Sequence, residues 1–466
     1  MRQPKPISRR TFLHQANCAA VGSASLFSSL LTLRLTAGAA SAESFSGYKA
    51  LVCLFLSGGN DSFNMLVPRQ QAAYDEYAAV RSTLALPQNE LLPITTTGQA
   101  YSEFGIHPNL PFLKTLYDQN NAAFVANVGT LVEPTTLAQF SAGSVQTPVG
   151  LFSHSDEVVH WQTLVPQVRG AGPKGWAGRV ADCMTQANAS GTLSMNLSLS
   201  DTNTLQTGNG SVPYITDPSG IVKLTGYDSN PAFGLAVDSV LGNNYRNLYQ
   251  TTLANSTRRA TDTAVAFEEA LNPITLTESI TFPTTQTGSR LKTVAKILAA
   301  RGTLGMDRQI FFINRGGWDH HNAVLAPQEG LFNELNHAIE AFWTELGHLG
   351  LQDDVVLFTA SDFGRTLTSN GSGSDHAWGG NQFVLGNAVR GGRLYGAYPA
   401  LGANNQLDLG RGRLLPTTPV DSYCTELASW YGVPPAELST VFPNASNFFD
   451  PTNTPHPLGL LDPYVL

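Results

Sequence analysis

The fold is decided by the stretch YKALVCLFLSGGND, residues 48–61. Its first part, Tyr48–Leu56, is a short run rich in Leu, Val and Phe that does not alternate between apolar and polar positions. Such a run is typical of a strand that is covered on both faces of a sheet. Ser57-Gly58-Gly59 then predicts a tight turn rather than a phosphate-binding loop, because the chain has neither a GxGxxG nor a Walker pattern.

Three further runs have the same composition as the first. They are Ala122–Val128, Arg308–Ile313 and Asp354–Thr359. The helical spacing of apolar residues over Pro327–Leu349 predicts a helix that joins the last two strands, which makes a βαβ unit with a parallel pair. Helical spacing also marks Gln70–Leu84, Pro108–Gln119, Ser289–Ala300 and much of 229–275. The sequence therefore predicts an α/β fold, with a central mostly parallel sheet flanked by helices, in one large domain over residues 43–466.

An acidic residue follows each of three predicted strands. These residues are Asp61, Asp319 and Asp362. Because ligands of open α/β sheets bind outside the carboxyl ends of the strands, we expect the three side chains to lie close together. Carboxylates that converge at one edge repel each other, and burying unpaired charge is costly, so a cation is the natural compensator.

Histidines near two of these carboxylates add metal-ligand chemistry. Asp319 and His321 lie two residues apart in a predicted tight turn, and His376 lies in a later glycine-rich loop. One carboxylate with two imidazoles suits Zn²⁺, Mn²⁺ or Fe²⁺ better than Ca²⁺. Asp61 and Asp362 would then hold a second ion or complete the first. The alternative is that each Asp caps a helix or turn and each His is a hydrogen-bonded polar residue.

Hydrolysis of an ester needs a nucleophile and a group that stabilises the negative charge that develops on the ester oxygens. Ser153, within the segment Phe152–Asp156, could ionise beside a metal and attack phosphorus or sulfur. It could equally belong to a turn or a helix cap. Arg365, three residues after Asp362, could clamp an oxyanion or pair with a nearby carboxylate.

The charge of the chain argues against a nucleic-acid partner. The sequence has 27 Lys and Arg against 35 Asp and Glu. Five of the basic residues and none of the acidic ones fall in residues 1–42, which leaves 22 basic against 35 acidic residues in the remainder. No basic stripe occurs after residue 42, whereas binding to phosphate backbones needs clustered positive charge.

The N-terminus is typical of an export signal. Ser8–Leu13 (SRRTFL) is a twin-arginine motif, a weakly apolar stretch follows over Ala19–Leu33, and Ala40-Ser41-Ala42 fits the small-x-small cleavage rule. Arg34 ends the apolar run well short of the roughly 20 residues that a membrane-spanning helix needs. We therefore expect residues 1–42 to be a twin-arginine signal peptide. The product would be periplasmic or secreted and would meet a membrane only during export.

Several motifs together resemble the signatures of the bacterial family called domain of unknown function 1501. They are Leu56–Asn64 (LSGGNDSFN), Gly317–His321 (GWDHH), Ser361–Thr366 (SDFGRT) and Gly373–Gly380 (GSDHAWGG), with Gly175–Arg179, Trp430–Val433 and Val441–Pro443 in support. The resemblance covers nearly all of residues 48–450. The family is placed near the alkaline phosphatase and sulfatase superfamily. That placement implies a mixed sheet between helices, a two-metal centre and a Ser, Thr or modified Cys nucleophile.

The resemblance also implies roles for single residues. Asp61 resembles the metal ligand after the first strand, Asp319 and His321 resemble an Asp/His metal element, His376 resembles a late histidine ligand, and Ser153 loosely resembles the nucleophile. Asp362 resembles the acidic half of an Asp–His pair, and Phe363 stands where the histidine of that pair is expected. One metal position therefore lacks a ligand, and the implied cofactor is Zn²⁺ or Mn²⁺, as one or two ions.

Three functions are compatible with these features. The first is an exported metal-dependent hydrolase of phosphate or sulfate esters, acting on a small ester or anionic substrate. The second is a non-catalytic binding or assembly protein that retains an alkaline-phosphatase-like fold. The third is carbohydrate binding through Trp161, Trp318 and Trp378.

Overall fold

The apolar run after Tyr48 forms a strand in the middle of a large sheet. This strand, β1 (Lys49–Leu56), is buried at every position after the first. It pairs in parallel with a neighbour on each side. The computed structural model describes residues 47–169, 174–188, 193–217, 227, 230–402 and 405–462. The predicted signal peptide, residues 1–42, lies outside these residues.

The further strands of the described chain are mostly short. They are β2 (Leu66–Pro68), β3 (Leu92–Thr95), β4 (Glu103–Ile106), β5 (Ala122–Gly129), β6 (Asn196–Ser198), β7 (Tyr214–Ile215), β8 (Arg308–Arg315), β9 (Val355–Ser361), β10 (Gly380–Leu385), β11 (Leu394–Tyr395) and β12 (Thr418–Pro419).

Nine of the described strands form the main sheet. Their order is β11-β5-β10-β9-β1-β8-β6-β7, and β12 pairs with β5. Within this described sheet, β10 is the one strand that runs antiparallel to its neighbours. Strands β2, β4 and β3 form a separate antiparallel sheet. Strand β1 lies between β8 and β9, so the parallel pairs are β1–β8 and β1–β9 rather than the expected β8–β9 pair.

Helices connect the strands and cover the main sheet. They are α1 (Ser62–Met65), α2 (Gln71–Arg81), α3 (Pro111–Asp118), α4 (Leu137–Ala142), α5 (His154–Thr163), α6 (Trp176–Cys183), α7 (Pro231–Leu241), α8 (Leu248–Leu271), α9 (Gln286–Ala299), α10 (Leu325–Leu349), α11 (Val420–Tyr431) and α12 (Leu438–Val441). Short 3₁₀ turns occur at Ser82–Leu84, Pro435–Glu437 and Ala445–Asn447.

Alternate residues of β1 face two different layers, as the geometry of a strand requires. Val52 and Leu54 belong to the large apolar core that also contains Leu335 of α10. Cys53 lies on the other face, where it lines a small internal void with Tyr423 of α11. The sheet is therefore covered by helices on both faces, and the predicted α/β fold with a mostly parallel central sheet is confirmed.

The helices of the described residues are short or carry many polar side chains. None of these helices combines the length and the apolar character that crossing a bilayer requires.

Candidate metal centre

The turns after β1, β8 and β9 lie at one edge of the main sheet. Leu56, the last residue of β1, is in register with Arg315 at the end of β8 and with Ser361 at the end of β9. Parallel strands that end together bring the residues that follow them to the same place. The turns that carry Asp319 and Asp362 therefore meet beside Gly58.

Gly58 lets the first and second of these turns approach closely. Its φ is +118°, in the left-handed region that favours glycine. A Cβ atom at this position would lie 2.6 Å from the backbone nitrogen of Asp319 and 2.9 Å from backbone atoms of Trp318. The Gly58 N–H donates to Asp362 Oδ1 at 3.0 Å. The glycine thus fixes the position of both carboxylates relative to the end of β1.

Three side chains in the described chain form a group that could hold a metal ion: His154, Asp319 and His376. One ligand atom from each lies within 4.8 Å of the others. The Nε2 atoms of His154 and His376 each lie 3.4 Å from Asp319 Oδ1. His321 joins them, because its Nε2 lies 3.0 Å from the same oxygen and 2.9 Å from Nε2 of His376. We call these four residues the histidine cluster.

Each imidazole of the cluster is anchored through its other nitrogen. His154 Nδ1 lies 2.6 Å from Asp362 Oδ2. His321 Nδ1 lies 3.1 Å from Asp375 Oδ1, and His376 Nδ1 lies 2.7 Å from the carbonyl oxygen of Phe152. These partners are acceptors, so each Nδ1 carries a proton, and in the neutral imidazole each Nε2 then offers a lone pair. Such anchoring through the second nitrogen is the usual arrangement of metal-binding histidines.

The separations of the three Nε2 atoms from Asp319 Oδ1 are compatible with a small tetrahedral cation. A metal about 2.0 Å from each of four ligands places those ligands about 3.3 Å apart. The three Nε2–Oδ1 separations, 3.4, 3.4 and 3.0 Å, are close to that value. Within the part of the chain that the structure describes, the Nε2 atom of His154 is buried and has no hydrogen-bond partner. A cation would satisfy this atom and relieve the repulsion between the lone pairs of His321 and His376.

Burial and neighbouring charges shift the pKa values of three groups at the site. Burial lowers the pKa of His376 below its ordinary value, so this imidazole stays neutral near neutral pH. The hydrogen bond to Asp362 raises the pKa of His154. Burial alone would raise the pKa of Asp319, but the hydrogen bond and charge of Arg365 outweigh it, with help from His321 and His154, and the pKa is lowered. Asp319 is therefore ionised and able to bind a cation.

Arg365 holds the turns of the site together. Its side chain is fully buried. The guanidinium donates to the carbonyl oxygens of Gly58 and Gly59 at 2.7 and 2.9 Å, to that of Ser374 at 3.1 Å and to Asp319 Oδ1. Of the two expectations for Arg365, the structure shows the pairing with a carboxylate.

Asp61 lies in a separate, fully buried ion pair. Its Oδ2 accepts a hydrogen bond from Arg81 at 2.6 Å, and both side chains are 0% exposed. Arg81 also donates to the carbonyl oxygen of Thr366 at 3.0 Å. The structure thus places Asp61 outside the candidate metal group and gives it a guanidinium as its counter-charge. Asp362 is also outside that group, where it orients His154.

Ser153 is next to the cluster in sequence but does not belong to it. It precedes the first residue of α5, and its Oγ lies 3.0 Å from Oγ of Ser155. The ring of Phe363, expected to replace a histidine, packs against the imidazoles of His154 and His376, with ring centroids 4.8 and 4.5 Å apart. This apolar ring closes one side of the cluster.

The prediction that three tryptophans bind carbohydrate is wrong. Trp161, Trp318 and Trp378 are 3%, 0% and 1% exposed. A ring must expose its face to stack against a sugar, and these rings instead fill the interior.

Sequence reasoning missed His154 as a ligand, although it adjoins Ser153 in the segment singled out for a nucleophile. It also missed the contact by which Asp375 orients the imidazole of His321. The hydrogen bond from Asn370, assisted by Arg411 and His321, lowers the pKa of Asp375 to about 2. Arg411 Nη2 lies 2.5 Å from Asp375 Oδ2. The sequence signal for the role of Asp375 is the dipeptide Asp375-His376, because it places a carboxylate next to a candidate metal ligand.

The fold and the site define a mixed α/β protein with histidine and aspartate side chains that could hold a metal ion. The chain belongs to the DUF1501 family, described as proteins of unknown function, whose model matches residues 48–411. The predicted family is therefore confirmed. No curated protein matches the chain.

Three solved structures are similar to the chain at low sequence identity. The C-terminal periplasmic domain of EcEptC from Escherichia coli, solved in complex with Zn, is 10% identical, with 74% of each chain covered and a TM-score of 0.31. A mutant of the alkaline phosphatase PafA is 12% identical, with 70% of this chain and 64% of that chain covered and a TM-score of 0.29. The sulfatase PsFucS1 from Pseudoalteromonas sp. is 8% identical, with 80% and 69% covered and a TM-score of 0.31.

Proposed function

We propose that the protein is an exported, metal-dependent hydrolase of phosphate or sulfate esters. One observation carries the proposal: the Nε2 atoms of three anchored histidines converge on the carboxylate of Asp319. Three imidazoles and one carboxylate are a ligand set that suits Zn²⁺, with Mn²⁺ as the other candidate. The bound ion would supply positive charge that polarises an ester oxygen.

We infer one ion rather than two. Asp61 is the carboxylate that a second ion would need, and Arg81 already neutralises it within hydrogen-bond distance. Asp362 accepts from His154 and from the Gly58 N–H, so its oxygens are engaged in holding the first site. A guanidinium in the interior therefore takes the place of a second cation.

The residues of the site have distinct roles in this proposal. The side chains of Asp319 and His321 are 47% and 39% exposed, so an ester and water can reach the cluster. Water oxygen would bond to phosphorus or sulfur, the bond to the alcohol oxygen would break, and the alcohol would leave with a proton. Arg365 positions Asp319 and does not face the substrate. We assign the attack to water rather than to Ser153, whose hydroxyl is paired with Ser155.

The N-terminal motif supports export by the twin-arginine route, with residues 43–466 as a single mature domain in the periplasm or outside the cell. A small ester or anionic molecule is the proposed substrate, and no nucleic acid is expected.

The decisive experiment combines metal analysis with an ester panel. The protein, purified after export, is analysed for bound metal and assayed on phosphate monoesters, phosphate diesters and sulfate esters. About one equivalent of zinc or manganese and turnover of one ester class are expected. Asp319→Ala and His376→Ala should lose both, whereas His348→Ala, at the exposed end of α10, should lose neither. A metal-free protein that still cleaves esters would overturn the mechanism, and stoichiometric metal without turnover would favour a binding role.

A further inference from the structure

A cavity of about 690 Å³ lies along α5, the helix that begins at His154. Its volume is within the range of small-molecule sites, roughly 300–1,000 Å³. The wall is formed by Ser57 after β1, by Asn314 near the end of β8, by α5 and by the loop around Thr204. The proposed hydrolysis does not use this cavity.

The cavity and the cluster share three structural elements. His154, Val158 and Gln162 are spaced four residues apart on α5, so they lie on one side of the helix. Val158 and Gln162 line the cavity, about 6 and 12 Å along the helix axis from His154. Ser57 precedes Gly58, which contacts both turns of the cluster, and Asn314 lies on the strand that leads to Asp319. The cavity wall is therefore built on the same elements that carry the cluster.

The cavity offers uncharged groups that are free to form hydrogen bonds. In the described part of the wall, the hydroxyls of Ser57, Thr202 and Thr204 take part in no hydrogen bond within the protein. Gln162 is 6% exposed, and its Oε1 accepts from the N–H groups of Thr204 and Leu205, at 2.9 and 3.1 Å. The amide is thus held in place with its NH₂ group left over for a ligand.

The charge of the wall narrows the class of ligand. Among the described residues that line the cavity, Lys174 is the one charged side chain, and none is acidic. Val158, Val159 and the exposed Val168 supply an apolar patch, while Phe55 and Phe312 are only 2% and 3% exposed. The wall therefore combines hydroxyl and amide groups with a patch of short aliphatic side chains, which suits a group that has many hydroxyls and short carbon stretches.

We propose that this cavity binds the alcohol part of the substrate and that this part is an uncharged, polyhydroxylated group such as a sugar. The inference rests on the proposed hydrolase function, because it assumes that the phosphate or sulfate group of the substrate lies at the histidine cluster. It places sugar recognition on hydroxyl and amide side chains rather than on tryptophans.

The test compares two esters of primary alcohols. The ratio of kcat/KM for glucose 6-phosphate to that for ethyl phosphate, and the same ratio for the two sulfates, is measured in the wild type and in a Thr202→Val/Thr204→Val double variant. A preference for the glucose ester is expected, and the loss of two hydroxyls should reduce that preference about tenfold. Thr344→Val, on the exposed face of α10, is the matched control and should leave the ratio unchanged.

A second measurement separates failure of this inference from failure of the proposed function. Saturation-transfer NMR of methyl glucoside with the same proteins needs no turnover. Transfer in the wild type that is lost in the double variant supports the cavity site, even if no ester is cleaved. Absence of transfer, an unchanged ratio in the double variant, or a preference for octyl phosphate over the glucose ester would overturn it.

Discussion

Asp362 Oδ2 lies 2.6 Å from Nδ1 of His154, and this contact turns the Nε2 atom of His154 towards Asp319. An acid from the end of β9 therefore orients a ligand from the start of α5. The contact explains why Asp362 is buried and close to the site without belonging to the candidate metal group.

Asp362→Asn should weaken zinc binding about 10- to 100-fold, because partners of this kind typically contribute that much to metal affinity. The affinity is measured by competition with a chromophoric chelator. Asp353→Asn is the control, since Asp353 is exposed and its carboxylate accepts a hydrogen bond from the amide of Asn387 at 2.8 Å. Equal affinities in the two variants would show that Asp362 does not orient His154.

Arg81→Met should destabilise the fold by about 3–5 kcal/mol, because it leaves the buried carboxylate of Asp61 without a counter-charge. Urea unfolding gives the free energy. The Arg81→Met/Asp61→Leu double variant should recover most of this loss, since it removes both charges. Arg390→Met, which breaks the exposed pair with Asp462, should cost no more than about 1 kcal/mol. A double variant as unstable as the single one would contradict the ion-pair explanation.

The central strands could be predicted from sequence because their signal is local. Lys49–Leu56, Arg308–Arg315 and Val355–Ser361 are each apolar and each end in a polar or glycine-rich turn. Because the three strands are parallel neighbours, their carboxyl ends lie at the same edge of the sheet. The expectation that residues after strand ends meet at one place therefore led to Asp319 and His321, which the structure brings together.

The remaining features of the site depend on packing between distant segments. His154 reaches the site because α5 begins beside the ends of the strands, which no local pattern encodes. Arg81 reaches Asp61 from the last residue of α2, and an arginine in that position is equally typical of an exposed helix end. The expectation of exposed tryptophans fails because residue type alone does not separate a buried ring from an exposed one.

Asp421 gives the fold a predictable dependence on pH. Burial raises the pKa of this carboxyl from 3.8 to about 7, and its oxygens lack hydrogen-bond partners in the described structure. Between pH 4 and pH 7 the unfolded chain loses the proton while the folded chain keeps it, so stability falls as pH rises. Asp421→Asn should therefore stabilise the protein by a few kcal/mol at pH 8 and have little effect near pH 4.

Urea unfolding at the two pH values checks this prediction. Asp118→Asn, in an exposed pair with Lys114 on α3, should show no comparable gain at pH 8. A gain for Asp421→Asn that is equal at both pH values would mean that the carboxyl does not titrate in this range.

Gly58→Ala tests whether the close approach of the turns builds the metal site. The added methyl would meet the backbone of Trp318 and Asp319 at 2.6–2.9 Å, and the φ of +118° is strained for alanine. The backbone atoms of Trp318 and Asp319 cannot easily move away from the methyl group, so the variant should lose about 1–3 kcal/mol of stability. Asp319 would be displaced, and the site should therefore bind zinc more weakly. Urea unfolding and chelator competition measure the two effects. Gly316→Ala is the matched control, because a methyl there meets no atom within 4 Å. If Gly58→Ala kept both the stability and the zinc affinity of the wild type, the turns could separate without cost, and the position of Asp319 would have to be set by Arg365 alone.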